Sequence, residues 1–214
     1  KRGIKVSGFD INSAAVAKLI EAGGSSAASV VEVAKNAHVL LVVVVNAAQT
    51  DMVLFGENGA AVAMKKGSVI ISSATMAPDD ARRLAAKAEA LGLLYLDAPI
   101  SGGAAKAALG QLTVMASGTP EAFTRARPAL DAIAATVHEL GDAAGIGASF
   151  KMVNQLLAGV HIAAACEAVT FAKKLGLDLP TVYKVITASA GNSWMFENRV
   201  PRILDGDYAP RSAV

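Results

Sequence analysis

The sequence predicts an α/β fold: a doubly wound parallel sheet, then a long helix and an all-helical part. Residues 38–45 (HVLLVVVV) and 69–73 (VIISS) are continuous apolar runs of the kind that form strands buried on both faces. Helical stretches alternate with such runs, which places helices on both faces of a parallel sheet. After Asp142-Ala143-Ala144-Gly145 the strand signal ends and only helical patterns remain.

A first strand is expected over 4–9 (IKVSGF). Asp10 ends it, and Asn12 or Ser13 can cap a helix over 13–22. Helices over 29–36 and 47–54 flank the 38–45 strand. The 69–73 strand leads to a helix over 78–91 that opens on Pro78, a residue suited to a first helical turn. Strands follow over 93–97 (LLYLD) and 112–116 (LTVMA), then a helix over 120–134 opening on Pro120 and a weaker strand over 136–140. The helical part comprises one long helix over 147–176, a second over 179–190, and a stretch over 192–204 interrupted at Pro201. The boundary falls near 142–146, giving domains at 1–144 and 145–214.

Composition narrows the class. Of 214 residues 53 % are hydrophobic and 18 % charged, which excludes a disordered chain. Twenty basic residues against eighteen acidic ones leave a net charge of +2, and no basic cluster stands clear of its acids, so no nucleic-acid partner is expected. A single cysteine, Cys166, excludes an internal disulfide framework and makes a reducing cytoplasm the default compartment; its expected place is the core. Lys1, Arg2, Lys5, Asp10 and Lys18 punctuate the first twenty residues, and no signal-peptide core lies among them. Residues 152–172 are long enough to span a bilayer. They include Asn154, Gln155, His161 and Glu167, which lipid penalises, so no membrane partner is expected and the stretch reads as the central helix of a soluble fold. Its apolar surface exceeds what the short helical pieces can cover, so further chain or another subunit is expected to cover it.

Three segments could carry chemistry. Asp97-Ala98-Pro99-Ile100-Ser101-Gly102-Gly103 follows a strand, and ligands of open α/β sheets bind beyond the carboxyl ends of strands. The Ser101 hydroxyl and the closely approachable backbone at Gly102 and Gly103 suit an oxygen anion, although a plain tight turn has the same spacing. Lys151 is alone in a helix otherwise almost free of charge, with Asn154 and Gln155 at i+3 and i+4 on its face. A buried lysine loses pKa and can act as acid or base; a lysine snorkelling at a helix start is the alternative. His161 lies two turns beyond Asn154. The third segment, 191–199 (GNSWMFENR), mixes polar and aromatic groups that could line a pocket or form a buried Trp–Met–Phe cluster. Asp10 stands where a dinucleotide fold places the acid that binds the adenosine ribose, a position a simple strand-end turn would also explain. No G-x-G-x-x-G, no metal-ligand spacing and no G-x-S-x-G are present.

Taken together, these segments resemble the 3-hydroxyisobutyrate dehydrogenase family of β-hydroxyacid dehydrogenases over essentially the whole chain. Residues 97–118 (DAPISGGAAKAALGQLTVMASG) are similar to the family's substrate-binding signature, and 145–154 to the segment carrying its catalytic lysine. Within the family, 154–165 (NQLLAGVHIAAA) and 190–199 (AGNSWMFENR) resemble L-threonate dehydrogenases. The resemblance implies a Rossmann-like N-terminal domain, a long connecting helix and a helical domain used in dimerisation. It also implies a first strand and glycine loop ahead of Lys1, and further helices after Val214, so that the helical domain of this chain is incomplete. By the same resemblance Lys151 is the catalytic acid/base, and Ser101, Gly102, Gly103, Asn154 and Gln155 bind the substrate. Gln155 stands where many relatives have asparagine. Asp10, Asn46 and Thr75 bind the cofactor, with Asp10 favouring NAD over NADP. The expected activity is NAD-dependent oxidation of a small hydroxy acid, L-threonate at C2 to 2-dehydro-L-erythronate, by a homodimer or homotetramer. The alternatives are 3-hydroxyisobutyrate or tartronate semialdehyde as substrate, or a non-catalytic dinucleotide-fold interaction module.

Overall fold

The structure is a computed structural model that describes residues 3–209. Expectations attached to Lys1 and Arg2 and to the end at 210–214 lie outside these residues. The chain forms two compact units, and the division falls after Met152, inside the long helix rather than at its start.

The first unit opens with β1 (Ser7–Gly8), α1 (Ser13–Glu21), β2 (Ser25–Ser26), α2 (Val30–Lys35), β3 (Val39–Val42), α3 (Ala47–Phe55) and, after a 3₁₀ turn at Ala61–Ala63, β4 (Val69–Ser72). It continues with α4 (Pro78–Ala90), β5 (Leu94–Asp97), β6 (Ile100–Ser101), α5 (Gly103–Leu109), β7 (Leu112–Ala116), α6 (Pro120–Ile133) and β8 (Ala134–Glu139). The helix α7 (Ile146–Lys174) crosses the division, and α8 (Leu179–Thr187) and α9 (Trp194–Leu204) complete the second unit.

The α/β class is as predicted. β3, β4 and β5 form a parallel sheet in that order, with Val69 opposite both Val39 and Leu94. Val69, Ile70 and Ile71 on the central strand are fully buried, which explains why that run shows no alternation. Ile70 packs with Leu54, Leu84 and Tyr95 in one apolar cluster; Val69 and Ile71 pack with Leu96, Val114 and Leu130 in another. Side chains alternate across a strand, so the two clusters are the helix-covered faces of one sheet.

The strands depart from the prediction at β1, β2 and β6. The strand expected over 4–9 pairs only at Ser7–Gly8, because its partner β2 is a two-residue segment, and Ile4 and Val6 stay exposed. β6 was not foreseen, and it runs antiparallel to β7, with Ile100 opposite Val114. Residues 102–111 are too short for the crossover that a parallel partner would need. They hold instead the helix α5, which was not foreseen: the sequence reading assigned no element between Gly103 and the strand at 112–116.

An antiparallel bridge joins the two three-stranded sheets. Asp97 and Ser117 exchange backbone hydrogen bonds, Asp97 N to Ser117 O at 3.0 Å and Ser117 N to Asp97 O at 2.8 Å. The first turn of α7 lies against this bridge. A Cβ on Gly147 would stand 2.4 Å from the Met115 carbonyl oxygen and 2.7 Å from that of Asp97. Only glycine lets the helix come this close.

The second unit has a small core of Ala165, Val169, Phe196 and Val200, with Tyr183 stacked on Phe196 at 6.1 Å between ring centroids. Two expectations are corrected there. Cys166 is exposed, not core, because the inward positions of α7 near it are Ala165 and Val169. The cluster expected around Trp194 is only partly buried: Phe196 is inside, whereas Trp194 is 53 % exposed at the start of α9. Helix α7 is long and apolar enough to cross a membrane by length and composition, and only 17 % of the 18-residue window that meets this test is buried. It is therefore not a buried central helix among the described residues: Phe150, Val153, Leu156, Leu157 and Val160 are all exposed.

Gly147→Ala should destabilise the first unit by about 1–3 kcal/mol or more, because the added methyl meets backbone oxygens that cannot swing aside. Urea unfolding followed by circular dichroism measures this; Gly159→Ala, where a Cβ meets nothing within 4 Å, should cost far less.

Candidate active site

The site is built on the segment that leaves β5. Asp97 ends that strand and is 1 % exposed. Its carboxylate Oδ2 accepts the amide N–H groups of Gly145 at 2.9 Å and Ala148 at 2.8 Å. The Ser117 hydroxyl donates to the same oxygen at 3.5 Å and accepts the Gly147 N–H at 2.9 Å. A helix begins with N–H groups that have no partner inside it, and these two side chains supply acceptors at the start of α7. The helix dipole adds to the attraction for a carboxylate. Burial pushes the Asp97 carboxyl above the usual carboxylate range, against the pull of the Ala148 and Gly145 amides and the Ser117 hydroxyl. Sequence reading quoted Asp97 within its motif but gave it no role. The available signal was an acid closing an otherwise apolar strand.

Lys151 sits one turn further along α7, on the side of the helix that Gly147 and Ala148 occupy. It is 7 % exposed, and its Nζ donates to the Ile100 carbonyl at 2.7 Å. Burial alone lowers its pKa from the ordinary lysine value. It is not a lysine that snorkels to water. Ile100 directly precedes Ser101, so the amine lies beside the Ser-Gly-Gly turn. Ser101 pairs opposite Thr113 across β6 and β7 and is half-buried. Gly102 has φ +129° and Gly103 has φ +68°, both left-handed, and a Cβ on Gly102 would stand 2.9 Å from the Lys106 side chain. The two glycines are therefore conformationally required, and the turn keeps a bare backbone next to a buried amine.

The three residues expected at the cofactor each follow the carboxyl end of a parallel strand: Asp10 after β1, Asn46 after β3 and Thr75 after β4. All three are exposed. Asp10 Oδ1 accepts the Asn12 N–H at 2.8 Å, a strand-end turn that still presents the carboxylate to solvent. Asn46 caps α3: its Oδ1 accepts the Gln49 N–H at 2.9 Å, and Gln49 Oε1 accepts the Val45 N–H at 2.9 Å. An exposed acid and exposed amide and hydroxyl groups beyond parallel strand ends fit the ribose and amide edges of a dinucleotide.

Asn154 and Gln155 belong to the second unit by contact, are half-buried, and are joined to each other, Asn154 Nδ2 donating to Gln155 Oε1 at 3.1 Å. His161 is half-buried. Asn192 and Ser193 are used locally: Asn192 Nδ2 donates to Glu197 Oε1 at 2.6 Å, and Ser193 Oγ caps α9 by accepting the Phe196 N–H at 3.1 Å. Among the described residues no group of three or more His, Cys, Asp or Glu side chains could hold a metal ion.

Comparison with known proteins gives this arrangement a family. A model of the NAD-binding domain of 6-phosphogluconate dehydrogenase matches residues 1–141, and a model described as the NAD-binding region of NADP-dependent 3-hydroxyisobutyrate dehydrogenase matches residues 145–214. An L-threonate dehydrogenase of Cupriavidus necator is 51 % identical over 214 residues, all of this chain and 72 % of that protein. A crystal structure of 3-hydroxyisobutyrate dehydrogenase from Salmonella typhimurium superposes with a TM-score of 0.94 at 50 % identity, covering 99 % of this chain and 74 % of the other. The structure of Psf3 with NADP⁺ and 2-OPP superposes with a TM-score of 0.89 at 27 % identity, covering 95 % and 72 %. The chain belongs to the 3-hydroxyisobutyrate dehydrogenase family and is an NAD-binding dehydrogenase of the hydroxyacid type.

Proposed function

We propose that this dehydrogenase oxidises L-threonate at C2 to 2-dehydro-L-erythronate with NAD, with Lys151 as the general base, and works as a homodimer or homotetramer in a reducing cytoplasm. The observation that carries the chemistry is the buried amine of Lys151, held on the Ile100 carbonyl next to Ser101. The substrate is supported by relatives named L-threonate dehydrogenase at 51 % and 50 % identity over essentially the whole chain. Exposed apolar side chains along α7 support an oligomer. Residues 1–144 serve as the dinucleotide-binding domain and 145–214 as the helical domain.

In this reading the Ser101 hydroxyl and the Gly102 and Gly103 backbone hold the substrate carboxylate. Asp10 takes the ribose hydroxyls of the cofactor, with Asn46 and Thr75 further along its path. When bound, the nicotinamide supplies the acceptor for the hydride that leaves the carbon bearing the hydroxyl. Lys151 Nζ takes the hydroxyl proton as the carbonyl forms, and returns it in the reductive direction. Desolvation makes this practical, since the neutral amine that a base requires becomes available below the ordinary lysine range of about 10.4. Asn154 and Gln155 follow Lys151 by three and four residues on α7, and their amides can pair the distal hydroxyls of a four-carbon acid. The second reading, 3-hydroxyisobutyrate, is favoured by the name of the Salmonella typhimurium structure. Its methyl branch offers those amides no hydrogen-bond partner, whereas the distal hydroxyls of a four-carbon acid do.

Lys151→Ala should lower kcat by at least about 100-fold while the Kd for NADH stays nearly constant. The oxidation rate should rise with pH through a lysine titration lying below the ordinary value, because the folded state favours the neutral amine; stopped-flow rates across pH measure this. NAD should be preferred to NADP by kcat/KM, since a 2′-phosphate would meet the Asp10 carboxylate, and Asp10→Ala should narrow the gap; equal use of both cofactors by the unmodified enzyme rules this out. L-threonate should give a higher kcat/KM than 3-hydroxyisobutyrate, with Gln155→Leu hurting the sugar acid more. A higher value for 3-hydroxyisobutyrate would leave only the family assignment standing.

A further inference from the structure

We infer that Asp97 and Ser117 are positioning residues for Lys151: by fastening the first turn of α7 to the ends of β5 and β7, they hold the lysine amine on the Ile100 carbonyl. This rests on the reading of Lys151 as the acid/base, and it assigns a task to two buried polar side chains that the mechanism does not otherwise use.

The contacts close a ring. From Asp97 the chain runs through Pro99 to Ile100, whose carbonyl accepts the Lys151 Nζ. From Lys151 the helix runs back to Ala148 and Gly147, whose N–H groups end on Asp97 Oδ2 and Ser117 Oγ. Gly147 and Ala148 precede Lys151 by four and three residues, so the fastened amides lie under the lysine on one helix face. The other side of the ring is equally fixed. Met115 N donates to the Pro99 carbonyl at 3.0 Å, and Ile100 pairs with Val114. A rotation or slide of α7 would therefore take the amine off its acceptor. The groups that bear on Asp97 are the Ser117 hydroxyl, the Gly145 and Ala148 amides and, from its own strand, Tyr95; among the described residues no charged group bears on Lys151. Removing the Asp97 charge should therefore act on the lysine through position.

The test reads the lysine directly and the rate separately. Competitive acetylation across pH, followed by mass spectrometry of the peptide containing Lys151, gives the titration of that amine in the unmodified chain and in Asp97→Ala, Asp97→Asn and Ser117→Ala. Asp97→Ala should move the Lys151 titration upward toward an ordinary lysine, since a released amine regains water, and should lower kcat by about 10-fold or more with little change in KM. NADH affinity, by fluorescence, should change less than about twofold. Asp97→Asn keeps an acceptor oxygen while removing the same charge, and should restore most of both quantities. Ser117→Ala, which removes only the acceptor of the Gly147 amide, should give a smaller shift in the same direction and serves if Asp97→Ala fails to fold. An unchanged Lys151 titration in folded Asp97→Ala or Ser117→Ala, or equal shifts in Asp97→Ala and Asp97→Asn, would overturn the assignment. A shifted titration with unchanged turnover would uphold the positioning role and remove Lys151 from the chemistry.

Discussion

The site depends on one buried carboxylate. Asp97 is 1 % exposed, and removing a charge from water is costly unless hydrogen bonds replace what water gave. Here they come from the start of α7, where amides would otherwise be unpaired and the helix dipole is positive. Each side satisfies the other: the carboxylate finds donors, and the helix finds an acceptor deep in the fold. The Asp97–Ser117 bridge that joins the two sheets is thus also the anchor for the helix that carries Lys151. Gly147 is required because the anchoring works only at backbone contact distance.

From that anchor follows the state of the lysine. An amine at the surface stays charged at neutral pH and is a poor base. Lys151 is placed where water is scarce, and its sole hydrogen bond among the described residues is to a peptide carbonyl. A carbonyl accepts from the neutral amine as well as from the ammonium, so the contact holds the side chain in place without demanding the charged form. The turn at Gly102 and Gly103 then leaves bare backbone beside the amine. Because the end of β5, the turn after β6 and the start of α7 are fastened to one another, Lys151 and the Ser-Gly-Gly turn share one support.

The residues proposed for the cofactor follow the rule of open α/β sheets. Asp10, Asn46 and Thr75 lie beyond the carboxyl ends of three strands, in the stretches where helices begin or chain turns back. Residues there commonly serve two purposes. Asn46 caps α3 through Gln49, and Asp10 closes a local turn through Asn12, while both stay open to solvent. Local hydrogen bonding and ligand recognition are compatible at such positions, since a cap fixes the orientation of the group that a ligand would meet.

Much was legible in the sequence, for identifiable reasons. The central strand β4 was visible because burial on both faces demands an unbroken apolar run, whereas the run at 38–45 pairs only over Val39–Val42 and leaves Leu41, Val43 and Val45 exposed; Pro78 and Pro120 marked helix starts because proline suits a first turn. Lys151 was visible because a lone charge in an apolar helix needs a reason. What stayed hidden was what depends on partners distant in the chain. β1 shortened because its neighbour offered two residues, β6 turned antiparallel because its connection was short, and Cys166 and Trp194 faced outward because their helices turned other residues to the small second core. Asp97 is the clearest case. Its residue type and place were plain in the chain, but its task rests on Gly145 and Ala148, some fifty positions away. The sequence by itself determined the fold class, the family and the dehydrogenase class, because these are written in local patterning and motif. Only the tertiary structure decided which acid meets which helix and how far the lysine is removed from water, because a hydrogen bond between distant segments leaves no local trace.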